Sequence, residues 1–152
     1  MRGLSFLLLI FLIACPAFGE ALDLSGEGIQ IKRYSDFYEY FISSGTVKDS
    51  EGATISGANI RLCKKDEGYH LHTDEPVYFS SPRIRSIHSQ GMDYYSGEKE
   101  GVLAPPVVAY TDDGVLSSDD PVRFSSGSLS GDGSFVFRSE EHTLYGTGYY
   151  YG

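Results

Sequence analysis

Several residue types are scarce in this sequence, and each shortage excludes a class of protein. There is no tryptophan, and there are only two cysteines in 152 residues. Two cysteines cannot build the disulfide-dense scaffold of many small secreted domains. Lysine and arginine number 12 against 21 aspartates and glutamates, which gives a net charge of -9. Because a nucleic-acid partner requires a basic face, this balance argues against nucleic-acid binding.

The residues that are abundant predict a β-rich globular domain. Hydrophobic residues make up 41% of the chain and charged residues 22%, a composition too apolar for a disordered protein. Glycine (18 residues) and tyrosine (12 residues) stand out. Many glycines and tyrosines with few good helix formers favour short strands joined by tight turns. The length fits one domain.

The N-terminus has the pattern of an export signal. A short basic start is followed by an almost wholly apolar segment, Leu4 to Ala14. This segment is too short to span a bilayer, which needs about 20 residues. The small residues of Ala17-Phe18-Gly19 before Glu20 predict a signal peptide over residues 1–19.

A second interpretation of the same segment predicts a lipoprotein. Leu12-Ile13-Ala14-Cys15 resembles the lipobox of bacterial lipoproteins, in which the cysteine becomes the lipidated first residue. The signal would then cover residues 1–14, and a lipid at Cys15 would be the only expected contact with a membrane. Under both interpretations the protein is exported, as a secreted, periplasmic or envelope-attached protein. Cys63 is then left without an intramolecular disulfide partner.

The exported chain divides into three regions by pattern. Residues 20–44 are predicted to be an extended N-terminal lead-in, and the aromatic residues of 34–44 favour a strand there over a short helix. Residues 45–152 show about seven short strands separated by acidic Gly-containing turns. Within them, residues 64–105 show the weakest regularity and are predicted to be a long irregular insertion. The pattern predicts an antiparallel β-sandwich.

The segment GTVKDSEGATISGANIRL, residues 45–62, resembles the opening of the carboxypeptidase regulatory-like, transthyretin-like (prealbumin-like) β-sandwich. Asp132-Gly133-Ser134-Phe135-Val136-Phe137 resembles a later strand of that family. The resemblance implies an all-β, antiparallel Greek-key sandwich, a fold that serves many roles. The residues that carry its first part are Gly45, Val47, Asp49, Gly52, Ile55, Gly57, Ala58, Ile60 and Leu62.

The intradiol ring-cleavage dioxygenases share these two motifs, so the sequence is also similar to an iron enzyme. In that family a tyrosine near Glu67-Gly68-Tyr69-His70 binds non-haem iron, which implies Tyr69 as a ligand. A second tyrosine would come from Tyr145, Tyr149 or Tyr150. The His-x-His pair that should follow is absent from the sequence, and without it the ligand set is incomplete. A degenerate iron protein is therefore the alternative function.

His70 and His72 give the sharpest local chemistry. Residues two apart on a strand point to the same side, so both imidazoles could reach one metal ion. Asp74 and Glu75 could add carboxylate ligands, and His88 or His142 could complete such a site through folding. Tyr69, His70 and His72 are therefore the candidate ligands for iron or another divalent metal. Polar side chains on a solvent-facing sheet surface are the simpler explanation, in which case no cofactor is required.

The tyrosine clusters predict either a binding surface or packing against a strand face. Tyrosine gives a large contact area at a small entropy cost, and tyrosines cluster in the loop predicted over 89–101 and at the end of the sequence. The serines lie in no Gly-x-Ser-x-Gly motif, and no phosphate-binding glycine motif is present. The expected function is therefore a non-enzymatic module for binding or envelope structure, with a protein or carbohydrate partner. The predicted surface consists of Tyr94, Tyr95, Tyr149, Tyr150 and Tyr151.

Overall fold

The computed structural model describes residues 22–82 and 84–152, and this part of the chain is built from strands and turns with no helix. Every strand pair is antiparallel. The strands are β1 Leu22–Arg33, β2 Tyr38–Asp49, β3 Thr54–Lys65, β4 Gly68–Thr73, β5 Val77–Ser80, β6 Ser86–Ser89, β7 Met92–Tyr95, β8 Glu100–Leu103, β9 Val107–Tyr110, β10 Val115–Ser118, β11 Val122–Ser125, β12 Ser128–Arg138 and β13 Thr143–Tyr151. The expectation of an all-β, antiparallel fold is confirmed.

Both predictions about the leader fall outside the described residues, because the signal segment and Cys15 precede Leu22. Residues 22–82 and 84–152 form no helix that is long and apolar enough to cross a bilayer.

Two long strands organise the sheet. One edge of β3 pairs with β2 along its length, and its other edge pairs with β5 near Thr54 and with β4 near Lys65. In the same way, β12 pairs with β13 on one edge and with β11 and β10 on the other. Between β3 and β12 run two four-stranded paths, β4-β7-β8-β11 (the first layer) and β5-β6-β9-β10 (the second layer). The hydrogen-bonded strands therefore close into a ring.

Aromatic side chains connect the two layers through the core. The ring of Phe79 in β5 lies 4.8 Å from that of Phe124 in β11 and 5.8 Å from that of Tyr94 in β7, measured between centroids. Phe79 belongs to the second layer and its two neighbours to the first, so the layers contact each other through their inner faces. This arrangement is compatible with a β-sandwich.

Three glycines mark the place where β1, β2 and β3 change which of their residues face the core. Gly26 pairs with Gly45, and Gly45 pairs with Gly57, so the three form one row across the strands. A Cβ atom at Gly45 would collide with the carbonyl oxygen of Ser25. One end of β3 pairs with the first layer and the other end with the second layer. The set of residues that face the core therefore changes at this row. The fully buried residues are Leu24, Val47 and Ile55 on one side of it and Ile42, Ile60 and Leu62 on the other.

One regional prediction is right in part and one is wrong. Residues 22–44 are extended, as predicted, and form β1 and the first half of β2. They pair in the same sheet as the rest of the chain, however, and the predicted boundary at residue 45 lies inside β2. Residues 64–105 are not an irregular insertion, since they contain β4 to β8. Four of these five strands have only four residues, and two inward-facing residues per strand are too few to produce a clear alternation.

Candidate functional site

A group of titratable side chains lies on the outer face of the first layer. His70 and His72 both project from β4 to this face, as the two-residue period predicted, and both are half-buried. The register of β4 and β7 places Asp93 directly opposite His72 and Tyr95 directly opposite His70. We call His70, His72 and Asp93 the histidine–aspartate cluster.

One carboxylate oxygen joins the two imidazoles of this cluster. Asp93 Oδ1 lies within hydrogen-bonding distance of His70 Nε2 and 3.5 Å from His72 Nδ1. The other ring nitrogen of His72, Nε2, lies 3.1 Å from Asp74 Oδ1. The side chains of the cluster are 38–43% exposed, so water reaches them. Only the His72 ring lies between two carboxylates, those of Asp93 and Asp74.

Neighbouring side chains fix the orientation of one ring and set the local charge. The imidazole of His70 stacks on the ring of Tyr95, with centroids 4.2 Å apart and planes 6° from parallel. On β3, Arg61 is opposite His72, and Cys63 is opposite His70. The cationic Arg61 is exposed, and the two aspartates near the histidines outweigh its charge.

Tyr69 lies apart from the two histidines with which it was grouped. Its side chain is buried, and its hydroxyl donates to Asp49 Oδ2 at 2.9 Å. Its ring packs edge-on against that of the buried Tyr94, with centroids 5.8 Å apart. Since adjacent residues of a strand project to opposite faces, Tyr69 cannot share a ligand sphere with His70.

The tyrosines predicted as iron ligands and the other candidate histidines also lie away from His70 and His72. Tyr145, Tyr149 and Tyr150 belong to β13, which four strands separate from β4 in the sheet order. His88 lies in β6 of the second layer, between the rings of Tyr78 and Tyr110. His142 lies in the turn before β13. The remaining carboxylate candidate, Glu75, accepts a hydrogen bond from the side chain of Asn59. Within residues 22–82 and 84–152, no three His, Cys, Asp or Glu side chains form a ready-made metal cage.

Cys63 projects to the same outer face as His70 and is half-buried there. Burial raises the pKa of its thiol; Lys65 acts against this shift and Glu39 adds to it. The thiol is therefore protonated at neutral pH and is a poor nucleophile.

The predicted tyrosine surface divides into buried and exposed members. Tyr94 is in the core at 4% exposure, because β7 replaces the predicted loop, whereas Tyr95 is 46% exposed. Tyr149 and Tyr151 are half-buried against Phe135 and Phe137 of β12. The Tyr151 hydroxyl donates to Asp113 Oδ2 at 2.8 Å. Tyr150 is 75% exposed.

The exposed surface continues along β13 beyond the predicted tyrosines. Leu144 is 56% exposed and Tyr145 is 75% exposed. Neither residue belongs to the predicted tyrosine surface, since Tyr145 was predicted only as a possible iron ligand and Leu144 is not a tyrosine. The useful signal was the absence of charge: residues 143–152, TLYGTGYYYG, contain no Asp, Glu, Lys or Arg.

Comparison with known proteins adds no family assignment. No protein-family model matches the chain, and no curated protein is significantly similar to it. The transthyretin-like and dioxygenase-like resemblances therefore depend on the quoted motifs alone.

Proposed function

We propose that the chain is an exported, non-enzymatic β-sandwich module of transthyretin-like type that binds an extended segment of a protein partner along β13. The observation that carries this proposal is the open edge of that strand. Among the described strands, β13 pairs only with β12. An unpaired strand edge presents a row of backbone donors and acceptors, onto which a segment of another chain can add as a further strand.

The composition of β13 distinguishes it from the opposite edge of the sheet. Strand β1 is also paired on one side only, but it carries Asp23, Glu27, Lys32 and Arg33. Charged residues on an edge strand oppose pairing with another chain. Strand β13 has no such protection, and it exposes Leu144, Tyr145 and Tyr150. This difference favours β13 as the binding edge.

The charge around β13 indicates the chemistry of the partner. Glu140 and Glu141 lie in the turn before β13. Asp132, at the bulge of β12 opposite Gly148, already forms an ion pair with Arg123 at 2.9 Å. A net charge of -9 adds a long-range attraction for basic groups. The expected partner segment is extended, with apolar side chains for the tyrosines and flanking lysines or arginines.

Site-specific photo-crosslinking in the native host tests this proposal. A photoreactive phenylalanine analogue placed at Tyr145 is expected to form an adduct with a distinct partner protein. The same analogue at Tyr78, an exposed tyrosine on the second layer, is the matched control and should not form that adduct. Introducing Tyr150→Lys beside the analogue at position 145 should reduce the adduct several-fold, since an edge lysine opposes strand addition.

Hydrogen exchange then connects the adduct to the mechanism. The captured partner, added to the wild-type chain, should slow amide exchange in β13 and leave exchange in β1 unchanged. Equal crosslinking from positions 78 and 145, or protection of β1 in place of β13, would contradict strand addition at β13.

A further inference from the structure

The histidine–aspartate cluster brings together nitrogen and oxygen atoms that suit a metal ion. His70 Nε2 and His72 Nδ1 both approach Asp93 Oδ1 from β4, and the carboxylate comes from β7. We propose that His70, His72 and Asp93 bind one divalent transition-metal ion, for which Zn²⁺ is the probe. Two imidazoles and one carboxylate form a three-ligand set of a kind that binds Zn²⁺ and similar ions and leaves further positions for water.

The position of Asp74 determines which nitrogen of His72 can bind the ion. His72 Nε2 lies 3.1 Å from Asp74 Oδ1, so in the neutral ring this nitrogen is the N–H that donates a hydrogen bond to the carboxylate. In the neutral ring Nδ1 then carries a lone pair, which points toward Asp93 Oδ1 at 3.5 Å. Two electron-rich atoms that face each other are stabilised by a cation between them. A carboxylate that holds the outer nitrogen of a histidine is a recurrent support in metal sites.

Metal binding requires a small rearrangement of Asp93. The described residues contain no ready-made cage, and Asp93 Oδ1 is hydrogen-bonded to His70. Rotation of this partly exposed carboxylate would separate it from the imidazole. The His70 ring would then carry its proton on Nδ1, so that the lone pair of Nε2 is free for an ion about 2.0–2.2 Å from each ligand atom. The stack on Tyr95 holds the His70 ring in place during this movement. The nearby guanidinium of Arg61 opposes the cation, and Asp74 offsets it.

Zinc titration of the tag-free, chelator-treated chain measures this site. We expect one Zn²⁺ ion per chain in competition with a chromogenic chelator. His72→Gln and Asp93→Asn remove a ligand each and should weaken the affinity at least about 100-fold. Asp74→Asn, which removes only the support of His72, should weaken it about 10–100-fold. His88→Gln, on the opposite layer, is the matched control and should leave the affinity unchanged.

Imidazole nitrogen NMR of the wild-type chain gives a measurement that requires no variant. Zinc should shift Nε2 of His70 and Nδ1 of His72, and it should leave the resonances of His88 and His142 in place. Absence of zinc binding, shifts confined to His88 or His142, or equal affinity in wild type, His72→Gln and Asp93→Asn would overturn the proposal.

Discussion

Tyr40 shows how a single side chain depends on the core around it. It lies on the inward face of β2 at 6% exposure, opposite Leu62 of β3. Burial raises the pKa of its phenol to about 12, and the neighbouring Tyr38 adds to the shift. The folded protein therefore disfavours the phenolate, whereas the unfolded chain ionises near pH 10.

Removal of this phenol should flatten the alkaline stability profile. The folded pKa of Tyr40 is the higher one, so its contribution to the free energy of unfolding is complete below pH 10 and is lost between pH 10 and 12. A shift of this size corresponds to about 2–3 kcal/mol. Denaturant unfolding of wild type and Tyr40→Phe should agree within about 1 kcal/mol at pH 7. Above pH 10, wild type should lose more stability than the variant, and parallel profiles up to pH 12 would disprove this role.

At the residue scale, the sequence predicted which side chains of one strand share a face, but it did not predict which side chains of different strands lie close together. The two-residue period placed His70 and His72 on one face, and the structure has them there. Asp93, which is 23 residues from His70 along the chain, joins them only through the register of β4 and β7. A pattern of single residues does not specify that register. Tyr94 was expected to be exposed because residues 89–101 were predicted to be a loop. In the structure it lies in the four-residue strand β7 and is buried.

At the scale of elements, the glycine row explains how long strands serve two layers. Gly26, Gly45 and Gly57 lie side by side where β1, β2 and β3 change their inward-facing alternation. At the middle position, a Cβ on Gly45 would overlap the backbone of Ser25. Glycine allows the neighbouring backbones to approach this closely. The Gly45 and Gly57 positions of the transthyretin-like motif thus have a physical role that does not depend on family membership.

A methyl group at the centre of the glycine row should destabilise the fold much more than a methyl group on the edge strand β13. Gly45→Ala forces two strand backbones apart, and we expect a loss of about 3 kcal/mol or more in the free energy of unfolding. In Gly146→Ala the new methyl would lie 3.7 Å from the Phe135 ring, an ordinary contact on exposed β13, and the change should stay within about 0.5 kcal/mol. Chemical denaturation measures both. Equal effects would show that the row imposes no special restriction.

Strand length decided which elements could be predicted. β3 and β12 have 12 and 11 residues, long enough for alternating stretches on each side of an irregularity, and both produced recognisable motifs. The short strands between residues 64 and 105 have their apolar residues in pairs, such as Val77 and Phe79 or Met92 and Tyr94. A single pair is equally common in loops, so only their pairing with neighbouring strands identifies them.

At the scale of the whole molecule, the two open strands lie at opposite ends of the pairing order. β1 follows the N-terminal segment closely, and β13 lies beyond β12 on the other side of the ring. If Cys15 carries lipid, the residues between it and Leu22 can span at most about 25 Å of extended chain. The start of β1 would then be held near the membrane. The β13 edge, being paired to the other long strand, would stay available to a partner.

The intact mass of the protein purified from its native host decides between tethered and free forms. A chain that begins at Cys15 and carries a diacyl or triacyl increment is expected for a lipoprotein, and its only free thiol would be Cys63. A chain that begins at Glu20 without an increment would refute lipidation, and it would leave eleven basic residues against 21 acidic ones, a net charge of -10.

In both forms Cys63 has no disulfide partner, so the melting temperature should be the same with and without reductant. Stability then depends on the buried core of the two layers, and a lower melting temperature in reductant would contradict that conclusion.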